Sequence, residues 1–175
     1  MSADNKPTPL VLGGIEIVPH SGTIRQRYEP IGGSSTFRLS RGTGIKQTHW
    51  QRTATSVGGT GYLDPGLFAL DYSEPLELLC VQPRSMEGVT TIFTLPPAAS
   101  RRPNDSPTGW ARVGDTWIET ALQLEGDVAH LGAVAGAAGY RVFWLPRLVV
   151  FTDGIASEFD NGTGMYDWSF EAQEV

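Results

Sequence analysis

Cysteine and histidine are scarce in this chain, and long apolar runs are missing altogether. The one cysteine, Cys80, sits in the apolar run Leu78-Leu-Cys-Val81. It excludes an internal disulfide and reads as a buried thiol in a protein made in a reducing compartment. The three histidines, His20, His49 and His130, lie far apart, and none has a second ligand at the spacing a zinc site needs. No run approaches the roughly 18 apolar residues of a membrane-crossing helix. The opening Met1-Ser-Ala-Asp-Asn-Lys-Pro-Thr-Pro9 lacks the basic-then-apolar order of a secretory signal. Neither export by the usual route nor membrane insertion is therefore expected. Positive charge is also short: 13 Lys and Arg against 19 Asp and Glu give a net charge of −6 and a pI near 5.0. That balance argues against a surface that condenses on nucleic acid or anionic lipid.

Catalytic and cofactor signatures are missing as well. Gly42-Thr-Gly44 and Gly59-Thr-Gly61 begin like dinucleotide fingerprints but lack the third glycine and a surrounding βαβ unit, so they read as turns. Gly33-Ser34 does not continue into a hydrolase nucleophile elbow. Asp153, Glu158, Asp160, Asn161 and Gly162 lack the alternating spacing and terminal Glu of a calcium loop and read as a solvated turn between strands. Asn104-Asp-Ser106 and Asn161-Gly-Thr163 are taken as turn chemistry. Arg25, Arg27, Arg101 and Arg102 are taken as solvated charges. The residues point to no enzyme, no cofactor and no metal.

What is present is turn formers and alternation. With 21 Gly and 12 Pro among 175 residues, 40% hydrophobic and 18% charged, the chain is too apolar for disorder and too broken for a helical bundle. The reading is a mainly β fold, a β-sandwich or barrel, as one domain over residues 10–175. A loose arm at residues 1–9 precedes it, and an exposed loop is expected at about 96–109. Leu10–Leu12 and Ile15–Val18 around Gly13-Gly14 form a first hairpin or bulged strand. Trp110–Val113 and Thr116–Leu124 form a hairpin about Gly114-Asp115. One short flanking helix is expected at 128–138, capped by Asp127, with Val128, Leu131, Val134 and Ala135 on one face and Gly139 ending it. Ile45–Ser56 reads as a long, mostly polar strand that faces water or a lumen, or pairs with another chain; Lys46, Thr48, Trp50 and Arg52 are its candidate inter-subunit residues.

The last 36 residues carry the clearest pattern. In Met165–Val175, Tyr166, Trp168, Phe170 and Ala172 alternate with Asp167, Ser169, Glu171 and Gln173, the period of a half-buried strand. Trp117, Trp144, Leu148, Trp168 and Phe170 are assigned to core or subunit-interface packing. Five tryptophans, Trp50, Trp110, Trp117, Trp144 and Trp168, also admit an alternative: a carbohydrate-binding β-sandwich presenting coplanar aromatics around a concavity.

Tyr140-Arg-Val-Phe-Trp-Leu-Pro-Arg-Leu-Val-Val-Phe151, followed by Tyr166-Asp-Trp-Ser-Phe-Glu-Ala-Gln-Glu-Val175, resembles the closing strands of tail proteins of bacteriophages with long, non-contractile tails. Gly61–Met86, with Asp64-Pro-Gly66, Leu70-Asp-Tyr72 and Cys80-Val-Gln-Pro-Arg84, is similar to the same group. The resemblance implies a β-sandwich or barrel with a flanking helix, assembled into three-fold or six-fold rings of the tail tube or the distal tail adaptor of the baseplate. Such a protein works without catalysis, in the virion after synthesis in the host bacterial cytoplasm. Its partners are further copies of itself and other tail proteins, with DNA only as transiting cargo.

Overall fold

The computed structural model describes residues 8–17 and 22–175. Most of the expected N-terminal arm, His20 and the Val18-Pro19 end of the second strand lie outside the described residues. In chain order the strands are β1 (Leu10–Leu12), β2 (Ile15–Ile17), β3 (Arg25–Arg38), β4 (Gly44–Gly61), β5 (Leu76–Leu79), β6 (Arg84–Gly88), β7 (Ile92–Thr94) and β8 (Thr108–Val113). They continue as β9 (Thr116–Thr120), β10 (Leu122–Glu125), β11 (Val128–Leu131), β12 (Ala137–Trp144), β13 (Arg147–Phe151), β14 (Ala156–Asp160) and β15 (Met165–Glu174). The fold is mainly β, in several antiparallel sheets.

The chain read as a single domain comprises two compact units, one of residues 1–78 with 149–175 and one of residues 79–148. The second is an insertion that leaves through β5 and returns through β13, which neighbour each other in one sheet. No linker composition marks the boundary, because the crossing points are themselves strands.

The first unit is built on the sheet β2-β1-β5-β13-β15-β4-β3, with β14 also paired to β15. The Gly13-Gly14 turn has both residues at positive φ (56° and 83°), the geometry of a tight hairpin that glycine adopts without steric cost. Alternation on β15 holds from Asp167 onward: Trp168, Phe170 and Ala172 are buried and Asp167, Ser169, Glu171 and Gln173 exposed, while Tyr166, read on the inward face, is half-buried. Leu10, Leu12, Ile17, Val57, Leu67, Leu78 and Val150 complete this core.

The second unit encloses one core between the sheets β10-β11-β7 and β6-β12-β8-β9. Phe93, Leu95, Ala111, Ala129, Leu131, Tyr140, Val142 and Trp144 fill it. The helix expected at 128–138 is instead β11, a turn, and the start of β12. Ala129 and Leu131 are buried while Val128 and His130 are half-buried, a period of two that the 3.6-residue reading mistook for a helical stripe. Asp127 caps nothing: with Gly126 (φ 61°) it makes the two-residue turn joining Glu125 to Val128. Leu131 donates its amide to Thr91 O and Gly132 to Ala121 O, so the backbone groups a helix would satisfy internally are met by neighbouring strands.

The 96–109 stretch is a loop exposed over most of its length, as read. It is a tethered loop, with a 3-10 turn at Ala98–Ser100 followed by two arginines only 7% and 8% exposed. Arg101 Nη2 donates to Asp127 Oδ1 (2.8 Å) and Gly126 O (3.2 Å). Arg102 Nη1 donates to Cys80 O (3.0 Å) and Leu79 O (3.3 Å). These side chains are structural fasteners and not the solvated charges that their proline-flanked setting predicts.

Candidate functional site

The feature that sets this molecule apart from a closed β domain is the β3–β4 ribbon. β15 pairs with β4 from Gly61 only as far as Ala54, yet the β3–β4 pairing runs on to Arg38↔Gly44. Among the described residues the outer half is therefore a two-stranded ribbon with both edges open, since β3 is the last strand of its sheet. A ribbon of this kind is marginal in water and offers unpaired backbone groups to another chain.

Its faces are set by a register shift. Gly33 opposes Trp50 while the next residue, Ser34, opposes Thr48, leaving His49 as the extra residue of a bulge. Ile45 and Trp50 are five residues apart and would point to opposite faces of a regular strand; the bulge returns them to one face. That face carries the pairs Phe37–Ile45, Ser35–Gln47, Gly33–Trp50 and Ile31–Arg52. Phe37, Ile45 and Trp50 are 47%, 38% and 51% exposed. A Cβ on Gly33 would lie 2.6 Å from Trp50 Nε1, so the glycine is what lets the indole lie across the ribbon. Thr36–Lys46 and Ser34–Thr48 make the opposite, polar face. The inter-subunit set Lys46, Thr48, Trp50 and Arg52 thus lies on one exposed segment, but the bulge divides it: Lys46 and Thr48 on one face, Trp50 and Arg52 on the other. Gly32-Gly-Ser-Ser35 lies inside β3, opposite this bulge.

Charge is split in the same way. Residues 25–61 hold six Lys and Arg against one Glu, a net of +5. The rest of the first unit holds one Lys against twelve Asp and Glu, a net of −11, and the inserted unit holds six of each. A large share of the acid lies on β14 and β15, where Glu158, Asp160, Asp167 and Glu171 are exposed with no Lys or Arg in either strand. At the turn between them, Asp160 accepts hydrogen bonds from the Thr163 hydroxyl (2.8 Å) and the Gly162 amide (2.7 Å). Those bonds, the Thr163 hydroxyl first, hold its carboxyl below its ordinary value. This is the turn between strands that the acidic 153–162 segment predicts.

Of the five packing residues, Trp144, Leu148, Trp168 and Phe170 are buried. Trp117 is outside the core, which leaves the interface half of its assignment: it is half-buried and lies on the outer side of the β6-β12-β8-β9 sheet, in a groove of about 440 Å3 lined by Pro83, Thr108, Trp110, Trp117, Arg141 and Phe143. Arg141 lies over the Trp117 ring, 4.6 Å from its centroid, and pairs with Glu87 on β6. The Arg141 hydrogen bond is the main reason the Glu87 carboxyl sits below its usual 4.5; desolvation opposes it, and the charges of Arg141 and Arg112 add to the lowering. A depressed carboxylate contributes its pairing fully above the ordinary value and loses it as pH falls through the folded value. An acid titration followed by tryptophan emission should therefore show a step below pH 4.5 as Arg141 is released from Glu87, and Glu87→Gln should remove that step while leaving the neutral-pH spectrum close to wild type. A step that persists in the Gln variant would assign it elsewhere.

The chain matches no protein-family model, no curated protein and no solved structure.

Proposed function

We propose that this chain is a non-enzymatic subunit of an oligomeric ring in the tail of a long, non-contractile-tailed bacteriophage, of the tail-tube or distal-tail kind, in which copies surround the DNA channel. The observation that carries the reading is the ribbon. It is amphipathic, open at both edges and positively charged, while β14 and β15 of the same unit present acid. A basic arm and an acidic patch at different places on one chain fit a head-to-tail contact between copies, and such heterologous contacts form rings when the rotation between copies closes. Burying Phe37, Ile45 and Trp50 against a neighbour removes apolar area from water at about 25 cal/mol per Å2, and the opposite charges fix the direction of docking. With the basic arm engaged, the remaining surface is acidic and repels the DNA that passes it. The resemblance in the closing strands supplies the phage assignment; the ribbon supports assembly independently of it.

In size-exclusion chromatography with light scattering and negative-stain imaging, the wild-type protein should run as a trimer or hexamer, and Ile45→Glu with Trp50→Glu should run as a monomer with an unchanged thermal midpoint. Gly33→Thr, which displaces the Trp50 indole, should weaken assembly in the same direction. Raising salt from about 0.1 M to 1 M, which shortens the screening length from about 10 Å to 3 Å, should slow ring formation. A wild-type protein that stays monomeric at high concentration, or a double variant that assembles as well as wild type, rejects this function.

A further inference from the structure

We propose that the outer face of the β6-β12-β8-β9 sheet is a binding site for a neutral saccharide. The face is assembled by register. Arg141 on β12 opposes Glu87 on β6 and Trp110 on β8; Phe143 opposes Ser85 and Thr108; Trp117 on β9 opposes Arg112. Because β12, β8 and β9 are neighbours, three aromatics from three strands come to one side while Tyr140, Val142 and Trp144 fill the core on the other. Packing within the unit explains the inward set; nothing in the unit's core requires two tryptophans and a phenylalanine outside it.

The groove's volume, about 440 Å3, falls within the roughly 300–1,000 Å3 typical of small-ligand sites. Its chemistry selects among occupants. The aromatic faces carry the negative side of the ring quadrupole, which attracts the polarised C–H groups on the apolar face of a pyranose. The polar lining groups are the Arg141 guanidinium, which the Glu87 carboxylate beside the groove already pairs, and the Thr108 hydroxyl. An ionic ligand finds no net charge there, and the inserted unit as a whole has six basic and six acidic residues. A donor and an acceptor fixed side by side instead match vicinal hydroxyls, each of which donates and accepts. Arg141 is held in place by Trp117 at 4.6 Å and by Phe143 at 5.9 Å, so little side-chain freedom remains to be lost on binding. An extended peptide is a poorer fit, because the groove lies on strand faces, whose backbone groups are used in the sheet, and not along an open edge.

The test is a titration of the full chain, by tryptophan emission and calorimetry, with cellohexaose, maltohexaose and chitotetraose, and with polygalacturonate as the charged control. Saturable binding of at least one neutral oligosaccharide is expected, with Trp110→Ala or Phe143→Ala weakening it about tenfold or more. If Trp110→Ala does not fold, Phe143→Ser and Trp110→Phe, checked by circular dichroism, carry the same comparison. Trp50→Ala, on the ribbon, should leave the affinity unchanged whatever it does to assembly, so this proposal and the ring proposal fail separately. Absence of binding across the three neutral sugars, preference for polygalacturonate, binding of decaproline in their place, or a groove quenched only by self-association would each overturn it.

Discussion

Trp168→Ala is expected to destabilise the first unit by about 3–5 kcal/mol, the range for truncating a buried large aromatic. Trp168 is 1% exposed and is the largest fully buried side chain. It sits on β15, the strand that holds β4 on one edge and β13 and β14 on the other. A cavity there loosens the strands that support the base of the ribbon, so the loss should reach assembly as well as stability. The site was shaped around the indole: Gly59 opposes Trp168, and a Cβ at Gly59 would lie 2.9 Å from Trp168 Cζ2 and 3.3 Å from Thr23 O. Gly59→Ala alone is thus destabilising through overpacking, typically by about 1–3 kcal/mol. Joined with Trp168→Phe, which vacates that volume, it should cost less than the sum of the two single changes. Urea unfolding of the four proteins in the cycle measures the coupling; strict additivity would show that Gly59 is not a packing partner of the indole.

Arg102→Ala should destabilise the inserted unit by about 2–4 kcal/mol, as a charge-assisted hydrogen bond is worth roughly 1.5–3 kcal/mol. One buried guanidinium nitrogen bonds both the Leu79 and Cys80 carbonyls, where the chain enters the unit, while the Arg102 amide donates to Leu145 O near the exit. The 97–105 loop is thereby tied to both ends of the insertion. Asp105, the acidic partner at 3.8 Å, is about one-third exposed, so water compensates it when the arginine is removed. Hydrogen exchange should show faster opening at 97–105 and across β12, with β3 and β15 unaffected. Arg27→Ala is the contrast: Arg27 and Glu29 pair at 2.5 Å but are 74% and 51% exposed, and the change should fall within about 0.5 kcal/mol. Equal effects from the two arginines would contradict the structural role of Arg102.

These two predictions differ in how far the sequence foresees them. Trp168 is legible because alternation on β15 is a local pattern, and a strand with one buried face displays it whatever its neighbours are. Arg102 is not legible: Pro, Asn, Asp and Ser around it have the composition of an exposed loop, and its burial follows from carbonyls some 22 residues away in sequence. The 128–138 segment misleads for a related reason. Its apolar residues fit a helical stripe on paper, while the strands on either side of β11 supply partners that make the extended form better satisfied.

The amino-acid sequence by itself determined a mainly β chain, the inward face of β15, the tight Gly13-Gly14 and Gly114-Asp115 turns, and a charge balance of −6, because each depends on composition or on residues within a few positions. Tertiary structure alone decided the bulge that gathers Phe37, Ile45 and Trp50 on one face, the division into two units, and the meeting of Trp110, Trp117, Arg141 and Phe143. Those depend on which strands pair and in what register, and register is fixed by contacts between distant segments that no local periodicity encodes.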